Sequence, residues 1–490
     1  MIPELTNGWQ VLLFAWFIIE WIIRICMLYI VPRKKSPAAA NGFLLLIMLL
    51  PIVGLIVFIM FANPKLPLNR RAKQREVDLL TQKELDQIQK KYQGVITTPE
   101  NKEYESLARL ANVLGGLPPM KGNQIVFLTD YTASLKAIAK SIDEAQRYVH
   151  IEYFLIVMDD STEIIFKAIE RAIKRGVKVR LLYDKVVCRT YPNFTKMLQR
   201  LTKAGVHHRQ MIPLSLIPGK YFTRPDLRNH RKIVVIDGVT AFTGSQNIVK
   251  NSYHKKSKKL LYEDLVVKIN GPVVWQLNSI FRADWFPETG DALLDLLEHD
   301  ALPKSVGTVT AQILPSGPSH EEENNLRFYT TMVHAAKKRV GLVVPYFIPD
   351  ESFLDAVTTA AKRGVEVVLI NSEIMDKLFV GRAQRSYYEE LLQAGVKVYL
   401  YNQPIFLHNK QVLVDDEVAV VGSSNLDARS FALDLELNVV IYDRETVKTL
   451  QSIETDYLNR AKQLTLKGWL KRPFGHKVVE SLARITAPLQ

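Results

Sequence analysis

Two stretches of this chain share an arrangement of histidine, lysine and aspartate suited to phosphate chemistry. NHRKIVVIDGVTAFTGSQN (229–247) and HNKQVLVDDEVAVVGSSN (408–425) each carry a His, a Lys two residues later, an Asp seven after the His, and then Gly-Ser-x-Asn. The pairs are His230/His408, Lys232/Lys410, Asp237/Asp415, Gly244/Gly422, Ser245/Ser423 and Asn247/Asn425, each separated by 178 residues. A phosphodiester resists attack because its charge repels nucleophiles and its alkoxide is a poor leaving group. One neutral imidazole can attack phosphorus to form a phosphohistidine while a second protonates the departing oxygen and then activates the incoming hydroxyl. The two lysines, with Ser and Asn donors, can hold the non-bridging oxygens as charge shifts onto them. Such chemistry calls for no metal and no cofactor. Cys26 and Cys188 lie far apart and fit neither a zinc site nor a disulfide framework.

His and Lys at i, i+2 project from one face of a strand. Asp237-Gly238 is a two-residue hairpin signal; a turn there, and one at Asp415-Asp416, sets His230 opposite Ser245 and His408 opposite Ser423. Asp237 and Asp415 belong to the candidate catalytic set by motif. Their odd spacing from the His turns them to the other face, where they would instead anchor the hairpins. Glu263 (EDLVV) and Glu436 (ELNVV) occupy similar strand positions. A carboxylate bonded to one imidazole nitrogen fixes the tautomer and aims the other nitrogen at substrate, whereas a solvated strand glutamate would do neither. Spacing does not say which His is the nucleophile.

These groups need a scaffold that presents them twice. At 490 residues the chain is long enough for about three units, and beyond residue 105 it alternates β-rich runs with amphipathic helices, as an α/β fold does. The alternation repeats: AIKRGVKV (172–179) matches AAKRGVEV (360–367), and Tyr153-Phe154 matches Tyr346-Phe347. Two similar halves, 106–295 and 303–465, are expected to pack as an internal pseudo-dimer, with a boundary near 286–305. The N-terminal 63 residues read as a two-helix transmembrane hairpin with spans at 11–31 and 43–62, followed by a linker at 64–105. Glu20 and Arg24 lie one helical turn apart inside the first span, as a functional pair or with Arg24 reaching toward the interface. Three basic residues in the loop (Arg33, Lys34, Lys35) against five after the second span place both termini and the body on the cytoplasmic side.

Lys+Arg of 64 against Asp+Glu of 50 leaves a net charge of +14, which implies an anionic partner. Lys250, Lys255, Lys256, Lys258 and Lys259 crowd one loop, to bind head groups or simply to stay solvated. The apolar, aromatic segment 211–227 is suited to a lid, an acyl-chain contact or a packed loop. Residues 466–490 are suited to an interfacial helix or to packing on the body. No repeated aromatic platform accompanies the basic residues, which disfavours a nuclease or nucleic-acid partner. A non-catalytic scaffold would tolerate decayed motifs, and neither has decayed. Oligomeric state is left open.

At the paired HxKx4D motifs the chain resembles the phospholipase D superfamily, whose two similar halves meet at one active site. The spans, with RPDLRNHRKIVVIDG, VPYFIPDESFLDAV and GSSNLDARSFALDLELN, are similar to bacterial cardiolipin synthases along essentially the whole chain. Many of those have Gly-Gly where this chain has Gly244-Ser245. The resemblance implies a phosphatidyltransferase of the inner membrane. One phosphatidylglycerol would give its phosphatidyl group to an enzyme His, with loss of glycerol, and a second would accept it to form cardiolipin. It implies His230 as nucleophile and His408 as general acid/base. A membrane-bound phospholipase D-type hydrolase, or a transferase using another alcohol, is the alternative.

Overall fold

The computed structural model describes residues 8–35, 37–215, 222–253, 260–294, 302–402 and 404–485. The duplication is plain in the central sheet. From its middle outward the first half contributes Met120–Leu128, Val266–Asn270, Thr240–Gly244, Lys232–Ile236, Tyr148–Tyr153, Lys178–Tyr183 and His207–Gln210. The second half repeats that order with Val309–Ser316, Asp434–Ile441, Val418–Gly422, Gln411–Val414, Arg339–Val343, Glu366–Ser372 and Lys397–Tyr401, and adds Ala461–Gln463 at its edge. The halves join where Met120–Leu128 runs antiparallel to Val309–Ser316. Near-continuous Val/Ile/Leu strands become buried because helices cover the sheet, among them Glu163–Lys174 and Glu351–Lys362, whose apolar residues pack into the cores.

A second set of pairings stitches the halves across the join. Arg228–Asn229 runs parallel to Asp434–Leu435, and Ile405–Leu407 runs parallel to Leu261–Glu263. The backbone N–H of His230 then donates to the Leu435 carbonyl at 2.8 Å, and that of His408 to the Glu263 carbonyl at 2.7 Å. Each motif histidine is therefore delivered by one half and held by the other.

Of the two expected spans, the first is a single helix long and apolar enough to cross a bilayer, and the second is interrupted. Helix α1 (Gly8–Lys34) is 27 residues long, with a mean hydropathy of 2.2 over its most apolar window. At 1.5 Å per residue it is about 40 Å long, more than the roughly 30 Å of a bilayer's hydrocarbon core. The second apolar stretch is broken at Leu50-Pro51 into α2 (Pro37–Leu49) and α3 (Pro51–Phe61), which reach only about 20 Å and 16 Å on the same rule. These two fold back on each other. Phe43 meets Phe58 edge-on at 5.2 Å, and Ile47 lies so close to Gly54 that a Cβ there would sit 2.7 Å from its Cα. Lys35, just after α1, hydrogen-bonds the Ala62 carbonyl just after α3, so α2 and α3 begin and end at the same level. Arg24 pairs with Glu20 at 3.2 Å and donates to the Met48 carbonyl at the tip of the fold-back, also at 3.2 Å. The carbonyls freed where α2 stops need such a donor.

The stretch expected as a linker is ordered. Helix α4 (Leu68–Lys91) lies against Val274–Thr289. There Glu84 pairs with buried Arg282 at 2.9 Å, and Arg70 with Glu288 at 2.6 Å. At the other end Phe474–Ile485 docks on Leu378–Gln393 through Ala483 and an Arg484–Glu390 pair at 3.1 Å, while Phe474, Leu482 and Ile485 stay exposed.

Candidate functional site

His230 and His408 line one pocket of about 630 Å³ with Phe154, Asn247, Tyr262 and Asn425. The Nδ1 of His230 lies 3.0 Å from Glu436 Oε1, and the Nδ1 of His408 lies 2.7 Å from Asp264 Oδ1. Both carboxylates come from the opposite half. An Nδ1–H given to a carboxylate leaves Nε2 with its lone pair for substrate. Ser245 Oγ donates to Asp264 at 2.7 Å, while Ser423 and Ser430 donate to Glu436, so each carboxylate is itself fixed. Lys232 and Lys410 are buried and each spends one N–H on its own histidine's carbonyl, at 2.7 Å and 2.6 Å. Asn247 and Asn425 line the pocket, and their Oδ1 acceptors have no hydrogen-bond partner among the described residues.

A family profile described as "Cardiolipin synthase, PLD-like domain" matches residues 138–285 and 329–456, one match for each half. Cardiolipin synthase A of Proteus mirabilis (strain HI4320) is 32% identical over 490 residues, covering 99% of this chain and all of that one. The chain belongs to the cardiolipin synthase family of phospholipase D-like proteins. A cardiolipin synthase of Alkalihalophilus pseudofirmus is 33% identical over 93% of this chain and 90% of its own length. The crystal structure of a phosphatidylserine synthase from Haemophilus influenzae Rd KW20 superimposes with a TM-score of 0.56 at 17% identity, covering 78% of this chain and 98% of that one. That likeness is one of fold.

Within this family frame the structure separates the motif residues into two groups. Asp237 and Asp415 stand outside the pocket. Asp237, at φ 52°, accepts from the backbone N–H groups of Gln146, Arg147 and Tyr148 at 2.8 Å each. Asp415, also at φ 52°, accepts from Lys337, Lys338 and Arg339 in the same way, and from the Tyr104 hydroxyl at 3.1 Å. They pin hairpin loops to the start of a neighbouring strand, so their place among catalytic residues is corrected to an anchoring one. The loops are three residues long, with Ile236 facing Thr240 and Val414 facing Val418. That shifts the register by one from the expected turns and removes each Ser from the position opposite its own His. Ser245 and Ser423 support the other half's His instead.

Glu263 is also corrected. It pairs with Arg460 at 2.8 Å and accepts from Tyr401 at 2.7 Å, away from His408. The orienting residue is its neighbour Asp264, which sequence reasoning missed. In the folded chain Asp264-Leu265 corresponds to Glu436-Leu437, because Ser245 N–H bonds the Leu265 carbonyl as Ser423 N–H bonds that of Leu437. Of the basic loop, Lys250 is exposed and Lys255, Lys256, Lys258 and Lys259 lie outside the described residues. Of segment 211–227, residues 216–221 lie outside them; Arg224 pairs with Asp226 at 2.6 Å and donates to the Phe61 carbonyl at the end of α3.

Burial governs the electrostatics. It lowers His230 well below the ordinary histidine value and His408 to about 4, in each case helped most by the motif lysine beside it. It also lowers Lys232 to about 8. The carboxylates diverge. Burial holds Glu436 above the usual range against the pull of Lys232. Asp264, for which burial acts in the same sense, ends below it because His408, Lys410 and Ser245 favour its charged form.

Proposed function

We propose that this protein transfers a phosphatidyl group from one phosphatidylglycerol to another, releasing glycerol and forming cardiolipin. One observation carries the reading: two imidazoles, each with its Nδ1 held by a carboxylate of the opposite half, line one pocket, and each motif has its lysine buried two residues on. In this scheme His230 Nε2 attacks phosphorus, and the P–O bond to glycerol breaks as His408 gives its Nε2 proton to the departing oxygen. The hydroxyl of a second phosphatidylglycerol then attacks the phosphohistidine, its proton passes to His408, and the His230–P bond breaks. Lys232, Lys410, Asn247 and Asn425 hold the non-bridging oxygens. An anionic phosphate offsets the lysine charges that depress His408, so substrate itself helps load that imidazole with a proton. Ionised Asp264 favours the imidazolium on His408 more than Glu436 favours it on His230, which supports His408 as acid/base.

The detergent-solubilised protein given phosphatidylglycerol alone should yield cardiolipin and glycerol. Phosphatidic acid as sole product would instead make it a hydrolase. Labelled phosphatidyl trapped on His230 supports the assigned roles, and label on His408 reverses them.

The N-terminal region supports a membrane placement other than two spans. Helix α1 crosses the bilayer, α2 and α3 dip in from the body's side and return, and the N-terminus lies on the opposite side. All of Arg33, Lys34, Lys35, Lys65, Arg70, Arg71, Lys73 and Arg75 then share one side with the body, and no Lys or Arg precedes Arg24, which supports a cytoplasmic body. The outer face of Phe474–Ile485 adds an interfacial contact. With Cys26 replaced by Ser, an impermeant maleimide should label Gly8→Cys from outside spheroplasts and spare Lys34→Cys. Labelling of Lys34→Cys from outside would restore the two-span hairpin.

A further inference from the structure

The membrane segment and the catalytic pocket are joined more closely than anchoring alone requires. The carbonyl of Phe61, at the end of α3, accepts from Arg224 Nη1 at 2.7 Å, and the same guanidinium lies 5.7 Å from the centroid of the Phe61 ring. Arg224 also grips the Asp226 carboxylate at 2.6 and 2.8 Å, and the Asp226 carbonyl accepts from Arg429 at 2.7 Å. Arg429 pairs with Asp434 at 2.8 Å, and both line the pocket with His230. Two arginines thus bridge the last turn of α3 and the pocket wall. The junction is fixed elsewhere too. Lys65 donates to the carbonyls of His320 and Glu321 at 2.6 and 2.7 Å. Leu66 is buried in the core that contains Leu227 and Leu435, and the Leu435 carbonyl receives the His230 N–H. The bridge belongs to one half: 24 residues (206–229) separate Gly205 from His230 and include Arg224 and Asp226, whereas 12 (396–407) separate Gly395 from His408.

The size of the pocket says what such closeness is for. About 630 Å³ encloses a ligand of ordinary drug size, enough for a glycerophosphate head group but not for the acyl chains behind it. Drawing those chains into water would oppose binding in proportion to the apolar area exposed, so they must stay in hydrocarbon while phosphorus reaches His230. Hydrocarbon is therefore needed beside the mouth, and the end of α3 brings it there. The charged groups on the pocket wall have partners and need not be free. Arg429 has Asp434, and Arg228 lies 3.7 Å from Asp184. Asp427 caps the short helix Ala428–Ala432 by accepting from Ser430 N–H at 2.8 Å. Lys377 stands over the Tyr346 ring at 5.2 Å, and Asp376 accepts from the Tyr346 hydroxyl at 2.7 Å.

We propose that phosphatidylglycerol enters this pocket sideways from the leaflet, along α3 and past the wall of Arg228, Arg429 and Asp434, with its acyl chains left among the lipids beside the α2–α3 fold-back. The fold-back is then one side of a lipid entrance as well as an anchor, and the Arg224–Asp226 bridge holds that entrance against the pocket. This rests on the transferase reading and on the membrane placement given above.

The test uses the full-length enzyme, reconstituted in vesicles of long-chain phosphatidylglycerol and, separately, held in detergent with dihexanoyl phosphatidylglycerol, whose short chains need no bilayer. Arg224→Gln should lower cardiolipin formation in vesicles about tenfold or more, because a pocket no longer held at the leaflet loses effective concentration, and should leave the detergent rate within about twofold. Helix α1 keeps wild type and variant alike in the vesicle, so the loss reports entry rather than attachment. Asp226→Asn, which loosens the same bridge, should show the same split by a smaller factor, and it serves where Arg224→Gln does not fold. Equal losses in the two assays would make the bridge merely structural, and no loss in either would mean that lipid takes another route; each overturns the proposal. Wild-type enzyme that makes no cardiolipin in detergent would instead overturn the transferase reading, and labelling of Lys34→Cys from outside would overturn the membrane placement.

Discussion

The two halves present the same His-Lys pair on the same strands, yet the pairs meet unequal partners. His408 faces Asp264, held ionised and supported by one serine, whereas His230 faces Glu436, raised by burial and supported by Ser423 and Ser430. Duplication supplied a symmetric frame. On the proposed scheme the carboxylate held below its usual range biases His408 toward carrying a proton and leaves His230 to attack, although the serines on Glu436 pull that carboxyl in the same direction as Ser245 pulls Asp264. Asymmetry of role therefore resides in the residues around the histidines rather than in the motif.

The most drastic way to break the comparison is to delete either imidazole. His230→Ala and His408→Ala should each lower cardiolipin formation at least about a thousandfold, because nucleophile and acid are both required; appreciable turnover by either variant would remove the two-histidine scheme. The carboxylates sharpen the contrast. Asp264→Asn and Glu436→Gln should each lower the rate about a hundredfold or more by freeing the tautomer. Only Asp264→Asn should be rescued by a lipid bearing a nitrophenyl leaving group, which needs no proton; equal rescue of both would mean that the halves are equivalent.

Stability should register the same burial. Both motif histidines are depressed in the folded state, so between about pH 6.5 and 4 the unfolded chain binds more protons than the folded one, and stability falls as pH falls through that window. The melting temperature should drop across it, and His408→Gln should flatten part of the drop. Smaller again, Asp237→Asn and Asp415→Asn should each cost about 1–3 kcal/mol of stability. Asp415 should cost more because it also holds Tyr104, and activity per folded molecule should survive within a few-fold. Glu263→Gln should have the least effect, about 1 kcal/mol or less, with a near-normal rate; a collapse like that of Asp264→Asn would return Glu263 to the site.

The α/β class, the duplicated halves, both histidines and Glu436 were legible because strands and motifs repeat at fixed intervals. Asp264 was not, because the spacing between halves changes from 178 residues at the motif to 172 at the carboxylate, and a slip of one residue in a strand changes which side chain meets the imidazole. The loop length was misjudged because Asp-Gly and Asp-Asp both tolerate left-handed backbone, which three-residue loops use as readily as two-residue ones. Leu50-Pro51 marked a break in the second apolar run, but composition alone does not say whether the chain continues or reverses there. Helix α4 was hidden by its polarity, since its buried stripe is narrow, Val77, Thr81, Leu85 and Ile88, and is joined by ion pairs such as Glu84–Arg282.

The strands that cross between the halves tie the fate of one imidazole to that of the other. Loosening either seam removes one histidine from the carboxylate that orients it, because each ladder joins the strand leading to a histidine to the strand carrying its partner, and a scheme that needs both imidazoles then fails as a whole. Such a molecule has no half-working state: damage far from phosphorus, anywhere along those two short ladders, should silence it outright rather than leave a single-sided enzyme behind.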